Sequence, residues 1–319
     1  MQQVIKIGTR GSPLALVQAR AVKAKLLEAH GDLDESHIEI KVIKTSGDRI
    51  LDRHLMTAGG KGLFTKEIEE ALLQGEINCA VHSSKDMPTK LPDGLYLSTF
   101  LPREDPRDAF ISSKFSHFLD LPKDAILGTA SLRRRAQALK VRPDLKIVTF
   151  RGNVQTRLKK LEAGEADATF LALSGLNRLG MAHVATEKLP LADFLPAPAQ
   201  GAVTVEIREA DEAMAARLKP LHCEKTAIEV AAERAFLAAL DGSCRTPLAA
   251  HAALQQNEIL MHGQLFSLDG TQVFERHASA GATLEAATQL GAKMGRQIKD
   301  EAGDGFFIQL AKETEAEFE

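Results

Sequence analysis

Short apolar runs along residues 4–173 each end in a polar turn, and each turn opens onto apolar positions at helical spacing. Residues 4–8 read as a strand, followed by Thr9-Arg10-Gly11-Ser12-Pro13, in which Ser12 suits a helix N-cap and Pro13 the first helical position. Leu14, Val17, Ala21 and Val22 then give that helix one buried face. Residues 78–82 form a second apolar strand that runs into Ser83-Ser84-Lys85-Asp86-Met87-Pro88. Beyond a Pro- and Asp-rich junction, Leu101-Pro102-Arg103-Glu104-Asp105-Pro106-Arg107-Asp108, the same grammar returns three times. Residues 125–127 lead into Gly128-Thr129-Ala130-Ser131 and a helix opening on Leu132-Arg133-Arg134-Arg135. Residues 146–150 lead into Arg151-Gly152-Asn153, with Arg157 one turn into a helix that stops near Gly164. Residues 168–173 lead into Ser174-Gly175-Leu176-Asn177-Arg178. Repeated strand, turn and helix predict parallel α/β layers arranged in two lobes.

After Leu195-Pro196-Ala197-Pro198-Ala199-Gln200-Gly201 the pattern changes. Residues 224–240 predict an Ala-rich helix, and alternating stretches near Leu260 and Val273 flank a hairpin turn at Asp269-Gly270. A last helix carries Leu284, Ala287, Met294 and Ile298 on one face, so this region is expected to be a small α+β domain.

Charge placement adds the first hint of chemistry. Arg10, Lys85, Arg133, Arg134, Arg151, Arg157 and Arg178 all follow the carboxyl ends of predicted strands. Ligands of open parallel sheets bind in that crevice, where helix N-termini present free N–H groups. Each cation taken singly reads as a solvated surface residue. Their shared placement instead predicts a polyanionic, polycarboxylate ligand held between the lobes. Asp86 stands among these cations and has two readings: an ion-pair partner, or a carboxylate kept ionised so that it stabilises a cationic intermediate.

Composition narrows the function classes. The chain has 319 residues, 44% hydrophobic and 26% charged, with a net charge of −3, one Tyr and no Trp. That balance fits an ordinary folded protein and lacks the broad basic face that a nucleic-acid reading of Arg133-Arg134-Arg135 requires. Residues 1–6 lack the apolar stretch of a signal peptide and no run of about 18 apolar residues occurs, so a cytoplasmic location without membrane contact is expected. Cys79, Cys223 and Cys244 form no Cys-x-x-Cys pair and have no histidine at ligand spacing, which argues against a disulfide framework or a cysteine-held metal. Cys79 lies in an apolar run and reads as a small core residue. Cys244 sits in Asp241-Gly242-Ser243-Cys244-Arg245-Thr246-Pro247, a turn-rich segment with an adjacent cation that favours the thiolate.

Several long motifs, in order along nearly the whole chain, resemble the porphobilinogen deaminase family, the hydroxymethylbilane synthases of tetrapyrrole biosynthesis. They are Thr9-Arg10-Gly11-Ser12-Pro13-Leu14-Ala15-Leu16, Gly59-Gly60-Lys61-Gly62-Leu63-Phe64, His82-Ser83-Ser84-Lys85-Asp86-Met87-Pro88, Ser131-Leu132-Arg133-Arg134, Phe150-Arg151-Gly152-Asn153 and Pro198-Ala199-Gln200-Gly201-Ala202. The resemblance implies two lobes like those of type II periplasmic binding proteins, formed by 1–101 with 201–219 and by 102–200, and a third domain, 220–319, carrying the cofactor cysteine. It implies a monomeric transferase that condenses four porphobilinogen molecules head to tail, releasing ammonia, on a dipyrromethane bound to Cys244 through a thioether. The product is linear hydroxymethylbilane, and no metal takes part.

Carried onto this chain, the resemblance makes Asp86 the catalytic carboxylate and places Ser83, Lys85, Thr129, Ser131, Arg133 and Arg134 around the cofactor. Arg10, Ser12, Phe64, Arg151, Arg157, Arg178 and Gln200 fall around the substrate. Each substrate ring brings an acetate and a propionate, which explains the density of arginine. Arg135 is expected to be solvated, since successive helical residues turn by about 100°. The chain departs from the family pattern at Ala130, Thr204 and Ser243-Cys244-Arg245-Thr246, which puts local loop geometry in question. A rival reading, a non-catalytic two-lobed binding protein for a small polycarboxylate, explains the cations but gives Cys244 and Asp86 no task.

Overall fold

The structure, a computed structural model, describes residues 4–49, 64–242 and 246–316. The chain first lays down β1 (Ile5–Thr9), α1 (Pro13–Ala29), β2 (Ile38–Val42), the single turn α2 (Ser46–Arg49), α3 (Lys66–Leu73), β3 (Cys79–Ser83) and β4 (Leu95–Phe100). It continues through β5 (Asp108–Ile111), β6 (Ile126–Gly128), α4 (Leu132–Val141), β7 (Lys146–Val148), α5 (Val154–Glu162), β8 (Ala168–Ala172), α6 (Leu173–Arg178) and β9 (Glu187–Lys188). Then come β10 (Val203–Arg208), α7 (Glu212–Leu218), α8 (Glu224–Ala239), the meander β11 (Leu248–Gln255), β12 (Glu258–Phe266) and β13 (Val273–Gly281), and α9 (Leu284–Ala316). Two compact units result, one of Met1–Glu104 with Ala202–Ala227 and one of Asp105–Gly201 with Ile228–Glu319.

The two five-stranded sheets have the same topology. Their orders are β2-β1-β3-β10-β4 and β7-β6-β8-β5-β9. In each, the strands linked by helical crossovers run parallel, whereas the fourth strand, β10 or β5, runs antiparallel to its neighbours. The sheets are therefore mixed, which corrects the expectation of purely parallel layers. β10 and β5 are fed from outside the strand-helix-strand run and enter in the opposite direction. This pair of α/β lobes, with a three-stranded antiparallel sheet and helices after them, is the fold class that the resemblance implied.

The polar turns are built as their residue types dictate. Ser12 Oγ accepts from Ala15 N at 3.3 Å, Ser131 Oγ from Arg134 N at 3.4 Å, and Asn153 Oδ1 from Thr156 N at 2.8 Å. Each cap holds a helix start against the carboxyl end of the preceding strand, so polar side chains gather there. Gly128 is required at the end of β6, because a Cβ would stand 2.6 Å from the Phe150 ring that covers it.

In the last region β11, which lacked a legible signal, pairs along its full length with β12. Ala287, Met294 and Ile298 are buried as expected, but Leu284, at the first turn of α9, is 52% exposed. α9 extends well past Ile298 and departs from helical geometry at Gly303, at φ 70°.

The second unit is pinned by a buried charge cluster. Asp108, at the start of β5, has no exposed surface and bonds to Arg134 Nη2 at 2.6 Å, with Arg133 Nη2 at 2.7 Å from its other oxygen. Burial works to raise the Asp108 carboxyl, but Arg133, Arg134 and the Gln200 amide outweigh it and hold the group well below the ordinary carboxylate range. A carboxyl whose folded value lies below its unfolded value of about 3.9 stabilises the fold above that pH and ceases to as the pH falls through the folded value. Asp108→Ala leaves two guanidiniums buried without their counter-ion, so urea unfolding is expected to show a loss of about 3–5 kcal/mol at neutral pH that shrinks below about pH 4. A loss under about 1 kcal/mol, a value typical of exposed ion pairs, would contradict the structural role.

Candidate active site

In the first unit, β1, α1 and β3 bring five of the expected residues to one cavity of about 70 Å³: Arg10, Ser12, Phe64, Ser83 and Asp86 all line it. Arg10 stacks its guanidinium over the Phe64 ring, 4.0 Å from the centroid, a cation-π contact that fixes both side chains. Ser83 Oγ accepts from Gln18 Nε2 at 2.9 Å. Asp86 closes a single 3-10 turn, Ser84–Asp86, at the end of β3 and is exposed, while Lys85 on the same turn is half-buried. Among the described residues Asp86 makes no ion pair.

Two features of this cavity were not foreseen. His82, 6% exposed, lines it and bonds through Nε2 to Glu206 Oε2 on β10 at 3.1 Å. Behind it Glu69 is buried, and burial, reinforced by the Glu206 carboxylate, raises its carboxyl above the ordinary range. The signal in the sequence was His82 and Glu206 inside apolar runs, where an unpaired polar group is costly.

The second unit collects the other cations. Arg133 and Arg134 are each 5% exposed: Arg133 Nη1 donates to Leu195 O at 2.6 Å and Arg134 Nη1 to Phe170 O at 2.9 Å, besides their pairing with Asp108. Gln200 has no exposed surface, and its Nε2 donates to Pro106 O at 2.7 Å and to Asp108 Oδ1 at 2.9 Å. Arg178 Nη2 donates to Gly201 O at 2.6 Å. These four therefore also brace the backbone. Arg135 is half-buried rather than solvated, because both neighbouring turns of α4 are packed into the core.

Thr129 is buried and its Oγ1 accepts from Ser131 N at 3.1 Å. Arg151 and Arg157 are half-buried. Burial, together with the Arg134 and Arg151 cations, pushes the Arg157 guanidinium down to about 10. Of the seven strand-end cations, Arg133 and Arg134 are buried and the other five half-buried.

A polycarboxylate fits this donor set. In the second unit Arg134 Nε is buried without a hydrogen-bond partner among the described residues, and a carboxylate is the acceptor such a donor lacks. Repulsion among Arg134, Arg151 and Arg157 is likewise relieved by bound negative charge.

Cys244 lies outside the described residues. Asp241 and Thr246, on either side of 243–245, both line a cavity of about 370 Å³ with Leu240, Lys299, Phe307 and Leu310. The other two thiols are poorly suited to covalent work: Cys223 is half-buried, and burial pushes the Cys79 thiol up to about 12.

Residues 5–216 match the family described as "Porphobilinogen deaminase, dipyromethane cofactor binding domain", and residues 227–300 match "Porphobilinogen deaminase, C-terminal domain". A porphobilinogen deaminase of Nitrobacter hamburgensis is 54% identical over 305 residues, 96% of each chain, and one of Nitrobacter winogradskyi is 53% identical over the same share. The chain belongs to the porphobilinogen deaminase family. Among solved structures, it is similar to a nutrient-binding protein from Burkholderia cenocepacia bound to methionine, at a TM-score of 0.42 and 15% identity, covering 68% of this chain and 90% of that one. A periplasmic substrate-binding protein of an ABC transporter from Coxiella burnetii is equally distant, with a TM-score of 0.42, 17% identity and the same coverage. Family membership rests on the sequence relatives alone.

As a member of the porphobilinogen deaminase family, the chain tolerates one of its departures plainly. Thr204 lies in β10 without positive φ, and its hydroxyl donates to Thr99 O at 3.1 Å, so a β-carbon costs nothing there. Ser243 falls outside the described residues.

Proposed function

We propose that the chain is a transferase that joins four porphobilinogen molecules head to tail, with release of ammonia, into linear hydroxymethylbilane for haem-type tetrapyrrole synthesis. Family membership supplies the reaction, and one observation carries its assignment to these residues: the Asp86 carboxylate, without an ion pair among the described residues, lines a cavity with Arg10, Ser12 and Phe64. In this reading 1–101 with 201–219 form the first lobe, 102–200 the second, and 220–319 the domain bearing Cys244. The protein acts as a cytoplasmic monomer without nucleic-acid or membrane partners; no helix among the described residues is long and apolar enough to cross a membrane.

Dipyrromethane, held by Cys244, supplies the free pyrrole carbon on which the chain grows. Lys85, Ser83, Thr129, Ser131 and the Arg134 Nε edge hold its carboxylates, with Arg133 fixing Asp108 and so the orientation of Arg134. Arg10, Ser12, Arg151, Arg157 and Arg178 take the acetate and propionate groups of the substrate, Phe64 packs on a pyrrole face, and Gln200 acts by bracing the loop beside Asp108. Loss of ammonia from the aminomethyl arm generates a cationic azafulvene. The Asp86 carboxylate stabilises that cation as it forms, and because no described residue pairs with it, its charge is available in the ground state at no cost of rearrangement.

Incubation of the purified chain with porphobilinogen tests the assignment. One linear tetrapyrrole is expected for every four ammonia molecules released. Saturable uptake of porphobilinogen with no ammonia would return the chain to the binding-protein reading.

A further inference from the structure

The three-stranded sheet carries a second cluster of chemically able side chains, unrelated to the cavity of Asp86. His251 on β11 stands opposite His262 on β12, and His262 stands opposite His277 on β13. Directly paired residues share one face of a sheet, and Glu275, two positions from His277 on the same strand, shares it too. His262 and His277 stack at 3.8 Å between centroids, with 25° between planes. Both bring Nε2 to within 2.9 Å of the same oxygen, Glu275 Oε1. One ligand atom from each of His262, Glu275 and His277 thus falls within 4.8 Å of the others.

We propose that His262, His277 and Glu275 form a binding site for one divalent transition-metal cation of the zinc class, with water completing its coordination. Imidazole nitrogen and carboxylate oxygen bind zinc at about 2.0–2.2 Å, so two such ligands at angles between right and tetrahedral lie about 2.9–3.4 Å apart. The two observed N···O separations of 2.9 Å fall inside that window, and side-chain rotation that unstacks the two rings would turn their in-plane lone pairs onto one ion. Coordination shifts each ring proton from Nε2 to Nδ1, which both neutral imidazoles can do.

The surroundings support a metal over a simple hydrogen-bonded trio. Gln264 Nε2 donates to Glu275 Oε2 at 2.9 Å and leaves Oε1 aimed at the two rings, the outer support that orients ligating carboxylates. Lys140, on α4, is exposed, and its ammonium extends into solvent. Strand pairing holds all three ligands on adjacent strands, so the site is prearranged rather than assembled on binding.

Calorimetric titration of the full-length protein, loaded with its cofactor, with zinc chloride reads the site directly. One equivalent is expected to bind saturably, and His277→Ala and Glu275→Gln are each expected to weaken it by at least about tenfold, since even outer-shell changes commonly cost 10–100-fold. His277→Gln keeps a hydrogen-bond donor near Glu275 but removes the ligating ring, so it separates metal binding from local packing. It too should lose affinity, while its porphobilinogen turnover without added zinc stays at the parent level. Absence of saturable uptake by the parent, or equal affinity in the His277 variants, would overturn the proposal.

Discussion

Asp86→Asn is expected to lower porphobilinogen turnover by about 10²–10³-fold, with thermal stability unchanged. The two halves of that expectation have separate causes. Asp86 is exposed and makes no ion pair among the described residues, so the fold loses nothing when its charge is removed. The reaction loses the charge that faces the developing azafulvene cation, and asparagine of the same shape offers only a dipole. Asp86→Glu keeps the charge in a displaced position and should retain more activity than the amide. Comparison of kcat for the three proteins, together with their melting temperatures, checks the assignment. An Asn variant turning over at the parent rate would remove Asp86 from the chemistry.

Cys244→Ser is expected to abolish turnover entirely, because it removes the attachment on which the chain grows. Neither remaining thiol can take over: Cys79 is buried with its thiol near 12, and Cys223 is half-buried. A serine hydroxyl is far less ionised than a thiol and forms the bond poorly. The variant should fold and give the mass of the bare polypeptide. Measurable hydroxymethylbilane formation by this variant would show that growth proceeds without the thioether.

Much of this was legible because local rules and global fold agree. Ser12 with Pro13, Ser131 and Asn153 announce helix starts, and the caps form as their side chains dictate. Polar turns after apolar runs therefore placed the candidate residues at the strand ends. What failed depends on contacts between distant segments. Asp108 looked like one more acid in a junction, yet it is the buried counter-ion of Arg133 and Arg134, which gives those arginines a structural task that their motif does not reveal. The antiparallel β10 and β5 could not be read from local pattern, since direction is set by where the chain re-enters a sheet.

β11 escaped notice because Leu248 to Gln255 is largely alanine, a residue with weak strand preference whose strand is fixed here by its neighbour. The His262–His277 pair was closer to the surface of the sequence. Each lies seven residues from the Asp269-Gly270 turn, so the hairpin expected there already places the two rings side by side.

Intact-mass measurement of the purified protein, followed by mapping of its cysteine peptides, tests the central claim most directly. The account predicts a mass above that of the polypeptide by two porphobilinogen units less two molecules of ammonia, with the whole increment on the peptide containing Cys244 and with Cys79 and Cys223 free. Fully active protein with an unmodified Cys244 would contradict it.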